Sequence, residues 1–431
     1  ICEIGGSIGD IEAMPFYEAL RQLRSELNLT DFLLVHLTYI VFFEATKEFK
    51  TKPAQNAIRE LMKTGLCPDV LICRHENVIH EHTISKLKEY CRHIVDVPNV
   101  DTIYKIPMMF IRQNMHLFFS KHFDLKDEII INTEKWIKIE KSIIQTTNSS
   151  KTITIGIIGK YVELEDAYCS LLEAIYHASI HIKCKICYEW IDCRNLEKEL
   201  KIISEDSKYS FICSKMRNMN AIIIPGGFGN TAIEAIIDCV HVARKLNIPT
   251  LGICLGLQVM VVEWLRNVCD IKGATSEEWD TEESKMELTN VIGLLEGQNT
   301  NKLGGTMNLG SYDIILKNNS KIYNIYGQKD IIHERHRHRY EVKGNIVDNL
   351  ESSGMIVSGY RKNETDQLLV ESIEVSDKNQ KWYIGCQFHP EYKSSIFNPH
   401  PLFVNWLSSS HKILTNNDDV IVIGSGRYPI I

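Results

Sequence analysis

Three short motifs in the second half of the chain hold residues that together could hydrolyse an amide. The first is GICLGLQ at 252–258, where Cys254 stands between two glycines at the point where an apolar strand gives way to a helical pattern. Such glycines permit a sharp strand-to-helix turn that exposes a nucleophile, and the start of a helix favours a thiolate. The motif predicts Cys254 as a nucleophile, with a buried thiol in a glycine-rich turn as the alternative.

A base for that thiolate is present in QFHPE at 387–391, directly after a predicted strand at 382–386. His389 and Glu391 are two residues apart, so on an extended chain they point to the same side. The carboxylate could then hold the imidazole tautomer while the other ring nitrogen meets the sulfur. A single histidine among 16 is more often structural, but its place after a strand favours the catalytic interpretation.

The third motif, PGGFG at 225–229, also follows a predicted strand and offers free backbone N–H groups. One such donor aimed at a developing oxyanion is worth roughly 2.7–4 kcal/mol in the transition state. A simple turn and a phosphate loop are the alternatives. No Lys-Ser/Thr pair follows, which excludes a Walker A motif at this loop.

The elements that must position these motifs read as strands alternating with helices, which predicts an α/β fold with a parallel sheet. In the second half, strands are predicted at 152–158, 221–224, 248–254 and 382–386, with a helix at 166–181. In the first half, strands are predicted at 1–4, 31–38 and 69–73, with a helix at 53–64 that ends at Gly65. The charged segment 362–380 reads as a surface hairpin.

Composition and length bound these interpretations. The chain has 431 residues and a mass of 49.5 kDa, and it is 44% hydrophobic and 24% charged, which is typical of a globular protein of two or three domains. We place domain boundaries at 1–135, a linker at 136–150, a second domain at 151–410 and a C-terminal extension at 411–431. Because the chain starts with Ile1 in a predicted strand, we expect it to begin inside a domain.

Charge and cysteine content disfavour several function classes. The net charge of −7 is a poor match for broad binding to nucleic acid or to a membrane surface, and no apolar run reaches the roughly 18–20 residues of a membrane span. The 13 cysteines show no disulfide framework, and the single C-x-x-C at 184–187 lacks the second pair that a zinc site needs. Reduced thiols in the cytoplasm are the expectation.

Taken in order, PGGFG, GICLGLQ and QFHPE resemble the class I glutamine amidotransferase domain. The resemblance implies that Cys254, His389 and Glu391 form a triad that hydrolyses the side-chain amide of glutamine through a thioester. It also implies that Gly227 and Phe228 border the oxyanion and the substrate.

The segment ERHRHRYEV at 334–342 narrows the family further, since its three arginines alternate and share one face of a strand. A solvated edge strand, a phosphate patch or a metal site are the alternatives. With LGGTMNLG at 303–310 and GATSEEW at 273–279, the segment resembles the glutaminase half of the CTP synthase family. The residues that the resemblance assigns to glutamine are Arg339 for the α-carboxylate, Glu278 for the α-ammonium, and Leu255, Gly256, Leu257 and Gln258 as pocket lining.

The first half resembles the amidoligase domain of the same family through EIGGSIGDIE at 3–12 and KTKPAQ at 50–55. The resemblance implies that Glu3 is a Mg²⁺ ligand and that Arg74 and Val100 lie against the adenine of ATP. The implied UTP and CTP contacts are Asp10, Ile11, Glu12, Lys50, Thr51, Lys52, Pro53, Ala54, Gln55 and Lys86.

The resemblance implies two α/β domains, each a largely parallel sheet flanked by helices: a P-loop-like synthetase domain without its N-terminal part, and a class I glutaminase domain. It further implies ATP-dependent amination of UTP to CTP with ammonia from glutamine, Mg²⁺ as cofactor, GTP as an allosteric activator and a cytoplasmic homotetramer. No G-x-x-x-x-G-K-[ST] occurs, so we expect this chain to lack the ATP phosphate loop. Another amidotransferase, a γ-glutamyl hydrolase or a nucleotide-binding regulatory subunit are the alternatives.

Overall fold

The computed structural model describes residues 1–76, 79, 81–125, 133–160, 165–279, 289–295, 307–363, 365–376 and 380–415. The chain forms two compact units, residues 1–141 and 142–431. The motif residues 303–306 and most of the predicted extension, 416–431, lie outside the described residues. Among the described residues, no helix combines the length and the apolar character required to cross a membrane.

Unit 1 is built around a small parallel sheet. Its strands are β1 (Val35–Tyr39), β2 (Val41–Phe43), β3 (Glu48–Lys50), β4 (Val70–His75) and β5 (His93–Pro98). Its helices are α1 (Met14–Glu26), α2 (Lys52–Lys63), α3 (Glu81–Ser85), α4 (Ile106–Arg112) and α5 (Met115–His122), and α6 (Thr133–Thr147) runs across the unit boundary. The sheet order is β1-β4-β5 with parallel pairing, and β2 and β3 form a separate hairpin.

One expectation for the first half is wrong. Ile1–Ile4 is not a strand, because none of the described strands pairs with it and an extended segment becomes a strand only through such pairing. Most of the segment predicted as a linker at 136–150 is helical, since α6 continues to Thr147. The division between the units falls inside this helix, after Lys141.

Unit 2 contains twelve strands and eight helices within its described residues. The strands are β6 (Thr152–Gly159), β7 (Lys185–Asp192), β8 (Ala221–Ile224), β9 (Thr250–Ile253), β10 (Ala274–Ser276), β11 (Thr289–Leu294), β12 (Asn308–Leu316), β13 (Ile331–His338), β14 (Tyr340–Val342), β15 (Met355–Lys362), β16 (Leu368–Val375) and β17 (Tyr383–Cys386). The helices are α7 (Cys169–Ile182), α8 (Cys193–Leu200), α9 (Glu205–Met216), α10 (Ile233–Lys245), α11 (Leu255–Asn267), α12 (Lys321–Ile325), α13 (Val347–Ser352) and α14 (Pro401–Thr415).

A nine-stranded sheet organises this unit, in the order β13-β12-β15-β16-β17-β9-β8-β6-β7. The strands from β17 to β7 are parallel, and those from β13 to β16 extend the sheet with antiparallel pairings. The predicted α/β fold with parallel strands flanked by helices is therefore confirmed. The structure adds an antiparallel extension on one side.

Both faces of the parallel region are covered by helices, which explains its unbroken apolar strands. In β8, Ile222 and Ile224 join the core on the side of α10 and α11, whereas Ile223 joins the core on the side of α7 and α14. Every residue of β8 and β9 is buried. Only loops at the strand ends remain available to carry chemistry.

The surface position predicted for the hairpin at 362–380 is wrong, because β16 is buried inside the sheet between β15 and β17. The antiparallel turn-back itself is present, since Lys362 of β15 pairs with Leu368 of β16. The two carboxylates of β16 are buried but partnered. Glu371 accepts hydrogen bonds from His336 Nε2 at 2.8 Å and Arg361 Nε at 2.5 Å, and Glu374 accepts from the backbone N–H groups that open α12. The charged residues of this segment suggested an exposed position. Glu371 and Glu374 can instead be buried because residues distant in sequence donate hydrogen bonds to their carboxylates.

A buried ion pair anchors α11, the helix that starts at the candidate nucleophile. Glu263 is fully buried and accepts from Arg244 Nη2 at 2.6 Å and Nε at 2.8 Å. Burial alone would raise the pKa of Glu263, but hydrogen bonds from His241 and Arg244 lower it below its usual range. The pair thus holds α11 against α10.

Glu263→Ala should lower the free energy of unfolding by about 3–5 kcal/mol, since it leaves Arg244 as an uncompensated buried charge. The matched control is Glu234→Ala, which removes an exposed partner of Arg266 and should cost less than about 1 kcal/mol. Urea unfolding of both variants measures the difference. Equal losses would show that the buried pair does not anchor the helix.

Candidate active site

The three motif loops converge because they follow neighbouring parallel strands. β17, β9 and β8 are adjacent in the sheet, and their carboxyl ends lie at the same edge. That edge carries His389 after β17, Cys254 after β9 and Gly226 after β8. Open α/β sheets bind their ligands at this edge.

Cys254 occupies a strained turn at the start of α11. Its φ of 55° and ψ of −103° are unusual for a residue with a side chain, and its N–H donates to Cys386 O at 2.7 Å. The flanking glycines are required by space: a Cβ on Gly256 would stand 2.2 Å from Ile224 O, and one on Gly252 would stand 2.3 Å from Met260 Sδ. The turn therefore has the geometry that the motif predicts.

His389 and Glu391 form a buried pair, with Nδ1 of the ring 2.7 Å from Glu391 Oε1. The expected extended backbone is wrong, because a 3₁₀ turn at Pro390–Lys393 brings the carboxylate back to the ring. Burial lowers the pKa of His389, but the charge of Glu391 and the nearby Cys254 sulfur outweigh it and raise the pKa well above its ordinary value. The second ring nitrogen, Nε2, is buried with no hydrogen-bond partner among the described residues.

The glycine-rich loop after β8 passes directly against this pair. A Cβ on Gly226 would lie 2.9 Å from His389 Cε1 and 3.6 Å from Cys254 Cβ, so only glycine fits. Gly227 and Phe228 line a cavity of about 210 Å³ that also reaches Cys254 and His389. The backbone of this loop therefore borders the same cavity as the Cys254 sulfur and the His389 ring.

The two residues assigned to the ends of glutamine lie near each other and near this loop. Glu278 Oε1 accepts from Gly229 N at 2.8 Å. Burial raises the pKa of Glu278, and the positive charges of Lys160 and Arg339 act in the opposite direction. A carboxylate and a guanidinium within electrostatic reach of one another can hold an amino group and a carboxylate.

The four residues that the resemblance assigns to the pocket lining lie in the first turn of α11. Leu255, Gly256 and Leu257 are buried, and these residues are not among those that line the cavity beside Cys254. Gln258 is also buried, and its Nε2 donates to Tyr340 O at 2.8 Å and to Gln387 Oε1 at 3.2 Å. The side chains of Leu255, Leu257 and Gln258 therefore pack behind the residues that line the cavity.

In unit 1, the predicted nucleotide contacts lie at the starts of two helices. Asp10, Ile11 and Glu12 form the turn before α1, where Asp10 Oδ2 accepts from Ser7 N at 2.8 Å. Lys50 and Thr51 lead into α2, whose first turn holds Lys52, Pro53, Ala54 and Gln55. Ala54 is buried and contributes to the core.

The cationic residues of this group approach one another. Lys50 forms an ion pair with Glu48, and Lys50 together with the more distant Lys86 lowers the pKa of that carboxyl. Arg74, at the end of β4, donates to Asn99 Oδ1 at 3.0 Å, next to Val100. The structure therefore joins Arg74 to the residue that precedes Val100 in the chain, and it places both Lys50 and Lys86 within electrostatic reach of Glu48.

The described residues do not assemble a magnesium site. Glu3 is exposed, and among the described residues no three histidine, cysteine, aspartate or glutamate side chains come together as potential metal ligands. Glu3 could supply one carboxylate at most.

Sequence reasoning missed three residues that lie near Cys254 and His389 in unit 2. Lys160 follows β6 and donates to the carbonyls of Phe228 at 3.3 Å and Gly229 at 2.6 Å. Gln387 donates its side-chain amide to Cys254 Sγ at 3.5 Å, and Tyr392 stacks on the His389 ring at a centroid distance of 5.1 Å. All three directly follow a parallel strand or lie within its following loop, which is the signal that would have found them.

Lys160 should make stability depend on pH in a defined window. Burial lowers its pKa to about 8 from an ordinary value of 10.5, so between these values the unfolded chain binds the extra proton and stability rises with pH. Lys160→Met should remove that rise, which amounts to up to about 3 kcal/mol. Urea unfolding at several pH values measures the difference between the two proteins, and a difference that does not change with pH would contradict the prediction.

Comparisons with known proteins cover both units. Residues 1–125 match the family model for the CTP synthase N-terminus, and residues 163–408 match that for glutamine amidotransferase class-I. A CTP synthase from Hydrogenobaculum sp. (strain Y04AAS1) is 40% identical over 417 residues, which are 95% of this chain and 72% of the relative. One from Pelagibacter ubique (strain HTCC1062) is 42% identical over 423 residues, 95% of this chain and 74% of the relative.

A solved structure is similar to unit 2. The glutaminase domain of Trypanosoma brucei CTPS with bound acivicin superposes with a TM-score of 0.52 at 29% identity, covering 60% of this chain and 94% of that domain. The family resemblance drawn from the motifs is thereby confirmed. The chain belongs to the CTP synthase family of glutamine-hydrolysing ligases, which use ATP, UTP and glutamine, and it carries the class I glutamine amidotransferase domain of that family.

Proposed function

We propose that unit 2 hydrolyses glutamine with Cys254 as nucleophile, His389 as acid and base, and Glu391 as the group that orients the imidazole. The observation that carries this proposal is the convergence of three strand ends. A strained cysteine, a histidine bonded to a carboxylate at 2.7 Å and a glycine-only loop meet around one cavity.

The chemistry follows from these positions. The thiolate of Cys254 attacks the side-chain amide carbon of glutamine, and the carbonyl π electrons move to the oxygen, which the N–H groups of Gly227 and Phe228 stabilise. His389 then gives its proton to the leaving nitrogen, so that ammonia departs and a thioester remains. Water, deprotonated by His389, attacks the thioester and releases glutamate and the free thiol.

Glu391 remains ionised throughout. It accepts the Nδ1–H of His389, which leaves Nε2 facing the reacting atoms. Nε2 is buried and has no hydrogen-bond partner within the described part of the chain, which fits a nitrogen whose partner is the sulfur or the substrate during the reaction. A coupled assay should find glutamate and ammonia released in equal amounts from glutamine; ammonia without glutamate would contradict this route.

Substrate recognition is proposed to rest on Arg339 and Glu278, which would hold the α-carboxylate and the α-ammonium. Their opposite charges match the zwitterionic end of glutamine. Without glutamine, Glu278 Oε1 accepts a hydrogen bond from Gly229 N. This leaves the amide end free to enter the space beside Cys254.

Arg339→Ala should raise KM for glutamine by about 10- to 150-fold, the range for losing one hydrogen-bonded charge, with a smaller effect on kcat. Arg335→Ala is the matched control, since it removes the same side chain from an exposed position on β13. Steady-state kinetics separate KM from kcat. An unchanged KM for Arg339→Ala would remove this residue from the glutamine site.

For unit 1 we propose the nucleotide contacts given by the family resemblance. Asp10 to Glu12, Lys50 to Gln55 and Lys86 would contact UTP or CTP, and Arg74 and Val100 would contact the adenine of ATP. The hydrogen bond from Arg74 to Asn99, which precedes Val100, and the placement of Lys50 and Lys86 near the same carboxylate support this. Glu3 would supply one ligand to Mg²⁺. The described residues do not assemble a complete metal site around it.

Activation by GTP, assembly into a homotetramer and a cytoplasmic location belong to the same proposal. All 13 cysteines are free thiols, which fits a reducing compartment. Sedimentation with and without nucleotides tests the assembly.

A further inference from the structure

Gln387 is the residue before the candidate base, and its side chain reaches the candidate nucleophile. The parallel register pairs Cys386 with Ile253, so the next residues, Gln387 and Cys254, leave the two strands side by side. Gln387 is fully buried, and its N–H is fixed by Glu371 O at 2.9 Å. Its Nε2 lies 3.5 Å from Cys254 Sγ.

The orientation of the Gln387 side-chain amide is set by the backbone carbonyl of Tyr340, which acts through the side chain of Gln258. Tyr340 O can only accept, so Gln258 must present its NH₂ group, which it does at 2.8 Å. The same NH₂ group lies 3.2 Å from Gln387 Oε1, so Gln387 must present its oxygen to Gln258 and its NH₂ to the sulfur. The donor orientation therefore follows from the partners.

An N–H that points at a sulfur has a chemical consequence. A hydrogen bond to an ionised group is about twice as strong as one between neutral groups, so this donor stabilises the sulfur when it carries negative charge. An amide turned the other way would present an oxygen, which would accept from a neutral thiol and repel a thiolate. The surrounding charged and titratable groups are His389 and Glu391 beyond β17, Cys386 at its end, and Asp166, Tyr168, Arg337 and Tyr392 in the lining of the same cavity.

We infer that Gln387, held in orientation by Gln258 and the Tyr340 carbonyl, is a catalytic hydrogen-bond donor to the Cys254 thiolate. The inference rests on the proposed role of Cys254. It assigns a second function to a motif in which His389 and Glu391 were the only expected catalytic residues. It also explains why the Gln258 side chain faces away from the cavity.

The test is the rate at which iodoacetamide alkylates Cys254, measured across pH by mass spectrometry of the peptide that contains it. This reaction needs a thiolate but no glutamine, so substrate binding does not enter. Gln387→Met should slow the alkylation near neutral pH about tenfold and move the midpoint of the pH profile to higher pH. Gln258→Glu should act in the same direction, because a carboxyl group at this position draws the Gln387 NH₂ toward itself and turns the amide oxygen to the sulfur.

The matched control is Gln380→Met, which makes the same chemical change at the opposite end of β17, where the amide donates to Arg244 O. Its profile should equal that of the wild type. Wild-type profiles in folded Gln387→Met and Gln258→Glu would overturn the inference, and if Gln387→Met does not fold, Gln258→Glu alone decides it. Failure of the proposed function gives a different result: wild-type protein alkylated at Cys254 would still hydrolyse glutamine.

Discussion

Cys254→Ala should abolish glutamine-dependent CTP formation in the complete enzyme, while CTP formation from added ammonium continues. Among the described residues, the Cys254 sulfur is the proposed nucleophile of the cavity at the carboxyl ends of β8, β9 and β17. Loss of such a nucleophile costs on the order of 10⁴-fold or more in kcat. The ammonium-dependent reaction does not use this sulfur. Parallel assays with the two nitrogen sources measure the effect.

Cys386→Ala is the matched control, because it removes a buried thiol one residue before Gln387 and should retain glutamine-dependent activity. Circular dichroism verifies that both variants fold. Loss of both activities in folded Cys254→Ala would show that the residue is structural. Retained glutamine-dependent synthesis would remove it from the chemistry altogether.

Glu391→Gln should lower kcat for glutamine hydrolysis by on the order of 10³–10⁴-fold, with little change in KM. A glutamine side chain can turn its NH₂ toward His389, and the ring would then place its proton on Nε2, where the sulfur needs an acceptor. The charge of Glu391 also contributes to the raised pKa of His389 against the opposing effect of burial. We therefore expect the pKa of His389 to fall in the variant, and the pH dependence of kcat to change with it.

Glu351→Gln provides the control for this substitution, since Glu351 forms an exposed ion pair with Lys317 away from the site. Steady-state hydrolysis across pH compares the variants. A kcat and pH profile like those of the wild type would mean that Glu391 does not orient the base.

The positions of the three motifs of unit 2 were predictable because each depends on local chain geometry. Glycines on both sides of a cysteine permit a sharp strand-to-helix turn, and Cys254 adopts such a turn with a φ of 55°. The alternation of strands and helices then places the carboxyl ends of parallel strands at one edge, which brings His389 and Gly226 to the same place. Local pattern and sheet topology agree here.

Other features depend on partners far away in sequence. The burial of β16 rests on His336 and Arg361, which neutralise Glu371, and no pattern within 362–380 shows them. The contact between His389 and Glu391 was foreseen, but through an extended chain rather than the 3₁₀ turn that makes it. Lys160 and Gln387 were missed because their function lies in reaching a neighbouring loop.

The most direct test of the triad is peptide mapping after treatment with a glutamine analogue that carries an electrophile in place of the amide. The proposed site predicts a single adduct on Cys254, formed in step with the loss of glutamine hydrolysis and slowed by excess glutamine. The other 12 cysteines should remain unmodified under the same conditions. An adduct on another residue, or full loss of hydrolysis with Cys254 unmodified, would contradict the assignment of Cys254 as the nucleophile.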